Sequence, residues 1–241
     1  MALKHGAGRR ASTGVISDDW ALIWRRAGAA RLVAWPVSAC QSHQDRQVFV
    51  IRELRIWRTM ELKPQDLLVL LKAAANPSQR WTYAALGKAL AMSASETHAS
   101  VKRAVASGLA VAPARGEWSP VRSNLLEFML HGVRYVWPAT QGPVKRGVPT
   151  SIGMEPLAGR MMVAPGDAPV WAHPTGFAKG PTLSPLYKTA PQAALADPAL
   201  HRLLALLDAL RTGRARERAL AAQLMEAELN QHGLESADAN Q

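Results

Sequence analysis

The sequence predicts an α+β fold, mainly α, and three observations carry that prediction. Between residues 60 and 109 apolar side chains recur at helical spacing in three runs, each with its own start or stop signal. Residues 138–198 hold eleven prolines and repeated glycines, a density that forbids long helices and leaves turns and short strands. From Asp197 onwards leucines return at helical spacing. The chain is 48% apolar, enough to bury a real core, and no run approaches the roughly 18 apolar residues of a membrane span.

The first 59 residues differ from the rest. They carry ten Lys/Arg against four Asp/Glu, four of the eight tryptophans (Trp20, Trp24, Trp35, Trp57), one proline and no sustained periodicity. The plainest reading is that Met60 is the natural start and 1–59 an over-extended reading frame. The alternative is a basic extension that attracts phosphate without sequence preference. Val37-Ser38-Ala39-Cys40 has the look of a lipoprotein cleavage box. Its apolar run, Leu32 to Val37, is six residues long and contains Pro36, too short for a signal peptide, so export is not expected. The single cysteine, Cys40, suits a reducing compartment, and the expected location is the cytoplasm.

In the first helix Leu67, Leu68, Leu70, Leu71, Ala74 and Ala75 trace one broad apolar face. Pro64 and Asp66 lie in the first turn, and Asn76-Pro77 is the stop. Thr82 is the expected N-cap of a second, shorter helix whose Tyr83, Leu86 and Leu90 share a face. Ala91-Met92 makes a tight connection, and Ser93 with Glu96 reads as a capping box opening a third helix. That helix runs to Ser107, and Gly108 supplies a left-handed residue after it. A short helix, a tight turn and a capped third helix ending in Gly-Leu is the shape of a helix-turn-helix.

At 100° per residue, Ala94, Thr97, Val101, Ala104 and Val105 fall on one arc of the third helix and are expected in the core. Ser95, Ala99, Lys102, Arg103 and Ala106 fall opposite, with Glu96 and Ser100 at the edge and His98 at the core margin. The outward arc is small, polar and basic, which is what close approach to a DNA groove requires; a solvated helix face has the same composition.

On Ser93, Ser95, Lys102, Arg103, Gly108 and Leu109 the segment resembles the recognition helix of MarR-like winged helix-turn-helix bacterial regulators. The resemblance covers about residues 62–112. It implies a winged-helix DNA-binding domain over 60–137, with helix 93–107 reading a major groove of double-stranded DNA. Ser95, Lys102 and Arg103 would enter the groove, and Lys88, Arg115 and Arg122 would touch the backbone. A homodimer would read two half-sites roughly 34 Å apart. Two departures stand out. Ala99 replaces an arginine common in that family, and VAPARGEWSPVR is a short, proline-broken stretch where the family makes a basic β-hairpin wing.

Beyond it, SNLLEFMLHG reads as a fourth helix with Ser123 as cap and Gly132 as stop, and Val133–Trp137 as a strand. Residues 138–190 are expected to be a loop-rich segment with short strands, anchored by Val148, Met161–Val163, Val170-Trp171 and Leu186-Tyr187. Lys145-Arg146-Gly147 is its one basic cluster, read either as bordering the DNA face or as a solvated turn. Asp197-Pro198 opens a C-terminal helical pair over 191–232, broken at Gly213, with Leu203, Leu206, Leu207, Leu210, Leu220, Leu224 and Leu229 as its seam. Arg214, Arg216 and Arg218 read as a surface cluster, and 233–241 as a disordered tail.

The net charge of +11 points to a polyanion. It is unevenly spread: residues 60–150 hold eleven Lys/Arg against five Asp/Glu, and 151–241 eight against nine. The seven histidines are scattered, and no Walker, G-x-G-x-x-G or nucleophile-elbow pattern stands in a fitting context. No catalytic residue, metal site or cofactor is expected. The leading expectation is a transcriptional regulator that binds double-stranded DNA as a dimer. Its rival is an antitoxin-like or adaptor protein that binds a protein partner through the same domain and the C-terminal helices. A ligand pocket lined by Tyr135, Trp137, Trp171 and Phe177 is a variant of the first, with core packing as the plainer fate of those rings.

Overall fold

A computed structural model of the chain describes residues 61–112, 118–164 and 166–238, with side chains as far as Asn230 in the last helix. Residues 1–60, including Cys40 and the tryptophan-rich stretch, and Arg115 with its neighbours lie outside the described residues. The described chain is mixed α+β and mainly helical. In order it forms α1 (Pro64–Ala75), α2 (Tyr83–Leu90), α3 (Ala94–Ala106), β1 (Ala110–Val111), β2 (Ser119–Pro120), α4 (Arg122–His131) and α5 (Val133–Val136). Then come β3 (Gln141–Pro149), β4 (Val170–Ala172), β5 (Ala178–Leu183), α6 (Ala190–Ala196), α7 (Pro198–Thr212) and α8 (Ala215–Asp238).

Two helices form the centre. Every residue of α1 from Asp66 to Ala75 is buried, so the helix is covered all round rather than on the one face its leucines mark out. In α7, Leu200 and the whole run Leu203–Arg211 are buried. The expected cap of α7 is present: the Asp197 carboxylate accepts from Ala199 N–H at 2.9 Å and Leu200 N–H at 3.2 Å, with Pro198 in the first turn. The same carboxylate takes the Lys72 ammonium at 2.6 Å and the Asn76 amide at 2.8 Å, which fastens the start of α7 to the end of α1. Burial pushes the Asp197 carboxyl upward, but Lys72, Asn76 and the Leu200 N–H together hold it below its ordinary value. α8 folds back antiparallel on α7, with Arg202 near one end of the pair bound to Glu228 at 3.2 Å.

One apolar cluster joins all of this: Leu67 of α1, Leu86 of α2, Val101 of α3, Leu125 of α4, Val148 of β3, Trp171 of β4, Leu203 of α7 and Met225 of α8 belong to it. The segments that composition divides near 137 and 190 therefore share a core.

The proline-rich segment closes into a three-stranded unit. β3 pairs antiparallel with β5 through most of its length and with β4 through Gly147–Pro149, and β4 meets β5 in parallel at Val170 and Thr182. Glycine makes so tight a closure feasible. A Cβ on Gly147 would lie 2.0 Å from the Trp171 carbonyl oxygen, and one on Gly180 1.9 Å from that of Ala168.

A buried ion pair holds this unit to α7. The Asp208 carboxylate accepts from Thr150 Oγ1 at 2.9 Å, Trp171 Nε1 at 2.7 Å and Arg211 at 2.7 Å. Arg211 in turn donates to the Trp137 carbonyl at 2.8 Å. Burial pushes the Asp208 carboxyl upward, against the pull of Arg211 and the two neutral donors. Beside it, His201 Nε2 donates to the Pro149 carbonyl at 2.8 Å, and burial holds its imidazole below the ordinary histidine value, opposed by that carbonyl.

Several expectations give way. Val133–Val136 is a short helix, not a strand. Gly132 stays in the right-handed helical region, so the chain runs from α4 into α5 with little break, and packing of Val133 overrides the β-branched composition. Ser123 does not cap α4. Val121 holds the N-cap position, and the Ser123 hydroxyl donates to the Asn124 side chain. A short helix, α6, precedes Asp197, which both ends it and caps α7. The expected disordered tail is helical as far as Asp238.

Asp208→Ala leaves the Arg211 guanidinium buried beside an unanswered cavity, and should lower unfolding free energy in urea by about 3–5 kcal/mol. His201 provides a pH test. Because its folded value lies below the unfolded 6.5, its contribution is present above pH 6.5 and lost as pH falls through the lower folded value. The wild-type urea midpoint should therefore drop between about pH 7.5 and about pH 5.5. His201→Gln should lose part of that drop; an identical drop in both proteins would contradict it.

Candidate nucleic-acid interface

The α2–turn–α3 geometry is fixed residue by residue. Thr82 Oγ1 accepts from Ala85 N–H at 3.1 Å, and Ser93 Oγ from Glu96 N–H at 3.1 Å, so both expected caps are in place. Between them Ala91 takes the left-handed conformation at φ 52°, and Met92 N–H reaches back to the Gly87 carbonyl at 2.8 Å. Gly87 allows this approach. A Cβ there would sit 2.8 Å from the Met92 oxygen and 3.1 Å from Thr97 Oγ1. At the other end Gly108, at φ 71°, donates to Val105 O at 3.0 Å and Leu109 to Ala104 O at 2.9 Å. These bonds are the Schellman pattern expected for Gly108. The chain then enters the antiparallel β1–β2 pair, with Ala110 opposite Pro120 and Val111 opposite Ser119. A hairpin thus follows α3 where the sequence offered only a proline-broken loop, and the Arg115 segment between its strands lies outside the described residues.

The faces of α3 are close to expectation but rotated. Thr97, Ser100, Val101 and Ala104 are buried, while Ser95, His98, Lys102 and Ala106 are exposed. Ala94, expected inside, is exposed, and Ser100, expected at the edge, is fully buried.

The rotation has a cause that corrects one assignment. Arg103, placed on the outward arc, turns back and binds Asp66 of α1 with both ends of its fork, Nε to Oδ2 at 2.8 Å and Nη2 to Oδ1 at 2.5 Å. Asp66 is fully buried and also accepts the Lys63 N–H at 2.8 Å, so the carboxylate caps α1 and pins α3 at once. The hydrogen bond to Asp66 leads the causes that raise the Arg103 guanidinium above its ordinary value.

A second correction concerns Arg122. Its Nη1 donates to the Leu229 carbonyl of α8 at 2.5 Å, and burial lowers its guanidinium. That arginine joins α4 to α8 instead of facing outward. A third concerns Glu96, expected to complete a capping box. Its carboxylate accepts the Tyr187 hydroxyl at 2.8 Å, which links α3 to the approach to α6. Burial first, then the Glu96 carboxylate, push that hydroxyl up to about 12.

Of the six residues singled out by sequence, the structure leaves Ser95 and Lys102 exposed on α3 and Lys88 exposed on α2. Arg103 and Arg122 are committed internally, and Arg115 is not described. His98 joins the exposed set, its ring edge-on to Tyr83 with centroids 4.9 Å apart. Its marginal place on the wheel left this open, and the contact with an aromatic side chain on another helix gave no sequence signal.

The four aromatic residues offered as a pocket have separate fates. Tyr135 is 75% and Phe177 67% exposed, Trp171 is buried on Asp208, and Trp137 packs edge-on against Phe128 at 5.6 Å. A cleft of about 420 Å³ is lined instead by residues including Gln141, Ser151, Asp167, Arg214 and Glu217, with no aromatic ring. Among the described residues no group of three or more His, Cys, Asp or Glu side chains is placed to hold a metal, and no helix is long and apolar enough to cross a membrane. Comparison with protein-family models, curated proteins and solved structures finds no match for this chain.

If Arg103 is the partner of Asp66 and not a ligand contact, Arg103→Met should cost about 3–5 kcal/mol, because it strands a buried carboxylate. Adding Asp66→Asn should recover part of that loss. A double-mutant cycle in urea with no coupling between the two sites would contradict the assignment.

Proposed function

We propose that the protein is a winged-helix DNA-binding regulator that lays the exposed side of α3 against duplex DNA. The observation that carries this reading is the character of that side. Ser95, His98, Lys102 and Ala106 are exposed there, with Lys88 exposed on α2, and no bulky apolar residue is among them. Hydroxyl, imidazole and ammonium groups suit base edges and phosphate oxygens, and small side chains permit close approach. A short helix, a glycine-packed turn, a capped helix and a two-stranded hairpin in this order fit the same reading. So does the excess of basic over acidic residues between 60 and 150.

With Arg103 and Arg122 engaged elsewhere, the cations exposed on α2 and α3 are the lysines Lys88 and Lys102. A lysine is a point charge that anchors phosphate well and discriminates bases less than a bidentate arginine. The reading is therefore of a helix that anchors on the DNA backbone with modest base preference. A second reading, a module that binds a protein partner, has one specific support: Tyr135 and the adjoining Val136, 52% exposed, stand together at the surface.

Lys88→Ala combined with Lys102→Ala should weaken binding to duplex DNA and reduce the slope of log K against log salt by about two. The fold should be unaffected, since both side chains are exposed. Unchanged gel-shift affinity across a salt series would sink the DNA reading.

A further inference from the structure

The β3–β5 ribbon presents a second cationic surface. Residues 141–146 of β3 are all exposed, and on β5 so is Lys179. The antiparallel register sets Arg146 directly opposite Lys179, and Lys145 opposite Gly180. Side chains directly opposite in such a pair share a face, so Arg146 and Lys179 are like charges side by side, an arrangement that costs stability unless a counter-charge answers it. Among the described residues neither has a carboxylate partner. Nor does the local sequence supply one: residues 133–154 and 168–196 contain Arg134, Lys145, Arg146, Lys179 and Lys188 and not a single Asp or Glu.

The surface is also rigid. Arg146 Nε donates to the Gly176 carbonyl at 2.5 Å, and the Arg146 carbonyl accepts from His173 N–H at 3.4 Å. The turn that provides these contacts is closed by Gly176 N–H to His173 O at 3.0 Å and by Thr175 Oγ1 to His173 Nδ1 at 2.9 Å. Gly176 lies so close to β3 that a Cβ on it would be 2.3 Å from Gly147. The guanidinium is thus held at its root with its two terminal nitrogens unengaged among the described residues. Such a preorganised fork fits the paired oxygens of a phosphate.

We propose that this ribbon is a second DNA-contacting surface, gripping the phosphate backbone of duplex DNA through Arg146 and Lys179, which share one face. A like-charged pair with no internal carboxylate is answered by an external polyanion. The duplex is the occupant because its closely spaced phosphates offer each cation its own partner along a fixed surface. This assignment of the occupant rests on the DNA reading of α3, whereas the cationic pair does not.

The test is Lys179→Ala, at an exposed residue whose side chain makes no hydrogen bond among the described residues, with Lys145→Ala on the opposite face of the ribbon as the control. Arg146→Gln is a separate variant that keeps a donor for Gly176. Binding to a duplex and to a single-stranded oligonucleotide of the same sequence is followed across a salt series, beside the Lys88→Ala/Lys102→Ala protein. Lys179→Ala and Arg146→Gln should each lower the duplex salt slope by about one, and Lys145→Ala should leave it unchanged. None of the three should lower the urea midpoint. An unchanged duplex slope in Lys179→Ala and Arg146→Gln overturns the proposal, and so does a loss confined to the single strand. If Lys179→Ala and Arg146→Gln weaken duplex binding and the Lys88/Lys102 protein does not, the α3 reading fails and the ribbon stands. The opposite result keeps α3 and removes the ribbon.

Discussion

The buried pair of Asp208 and Arg211 is the interaction on which the arrangement of the molecule depends. Through Asp208 it holds Thr150 at the end of β3 and Trp171 of β4, and through Arg211 the carbonyl after α5. Three distant stretches of chain meet at two side chains one turn apart on α7. A lone buried carboxylate would be prohibitive; here it is satisfied by a charged donor and two neutral ones. The same logic recurs at each joint. Lys72 and Asp197 join α1 to α7, Arg103 and Asp66 join α3 to α1, and Arg122 joins α4 to α8. Apolar burial holds the molecule together, and these polar contacts tie specific positions of the packed elements to one another.

The joints also set what the surface offers. On a wheel, Arg103 belongs with Lys102; in the folded chain it serves Asp66, and α3 is turned until Ser100 is inside. Glu96 is drawn away from its own helix end by Tyr187. Both ends of the exposed strip on α3 are therefore fixed by contacts to other parts of the fold, Asp66 near one end and Tyr187 near the other. The strip has little freedom to reorient on its own.

What the sequence made legible was local. The caps at Thr82, Ser93 and Asp197, the left-handed Gly108 and the leucine seams of α1 and α7 each depend on residues within a turn or two, and each stands where expected. What it hid was long-range. Arg103 and Asp66 lie 37 positions apart and Arg122 and Leu229 lie 107 apart, and neither spacing carries a periodic signal. The Val133–Val136 helix was hidden for another reason: its residue types favour strand, and only its continuity with α4 makes it helical. In the candidate site, Ser95, Lys102 and Lys88 were accessible to wheel reasoning because exposure follows from helix phase. The loss of Arg103 and Arg122 was not, because an arginine is long enough to be recruited from either side of a helix.

That asymmetry bears on how the chain could recognise DNA. Arginine forks give base discrimination, and Arg103, the arginine expected in the groove, binds Asp66 instead, while Arg122, expected on the backbone, joins α4 to α8. The remaining described candidates divide into lysines on α2 and α3 and a cationic pair on the β3–β5 ribbon. Contacts of that kind contribute mainly through counterion release, so they favour long contact with the backbone over a short specific site. The free arginine fork in this set, that of Arg146, is anchored to a glycine-packed turn on a ribbon. Under the DNA reading, Arg146 is the described contact that combines a fixed position with a bidentate end, so it would hold a backbone phosphate in one orientation where a lysine leaves it free to turn.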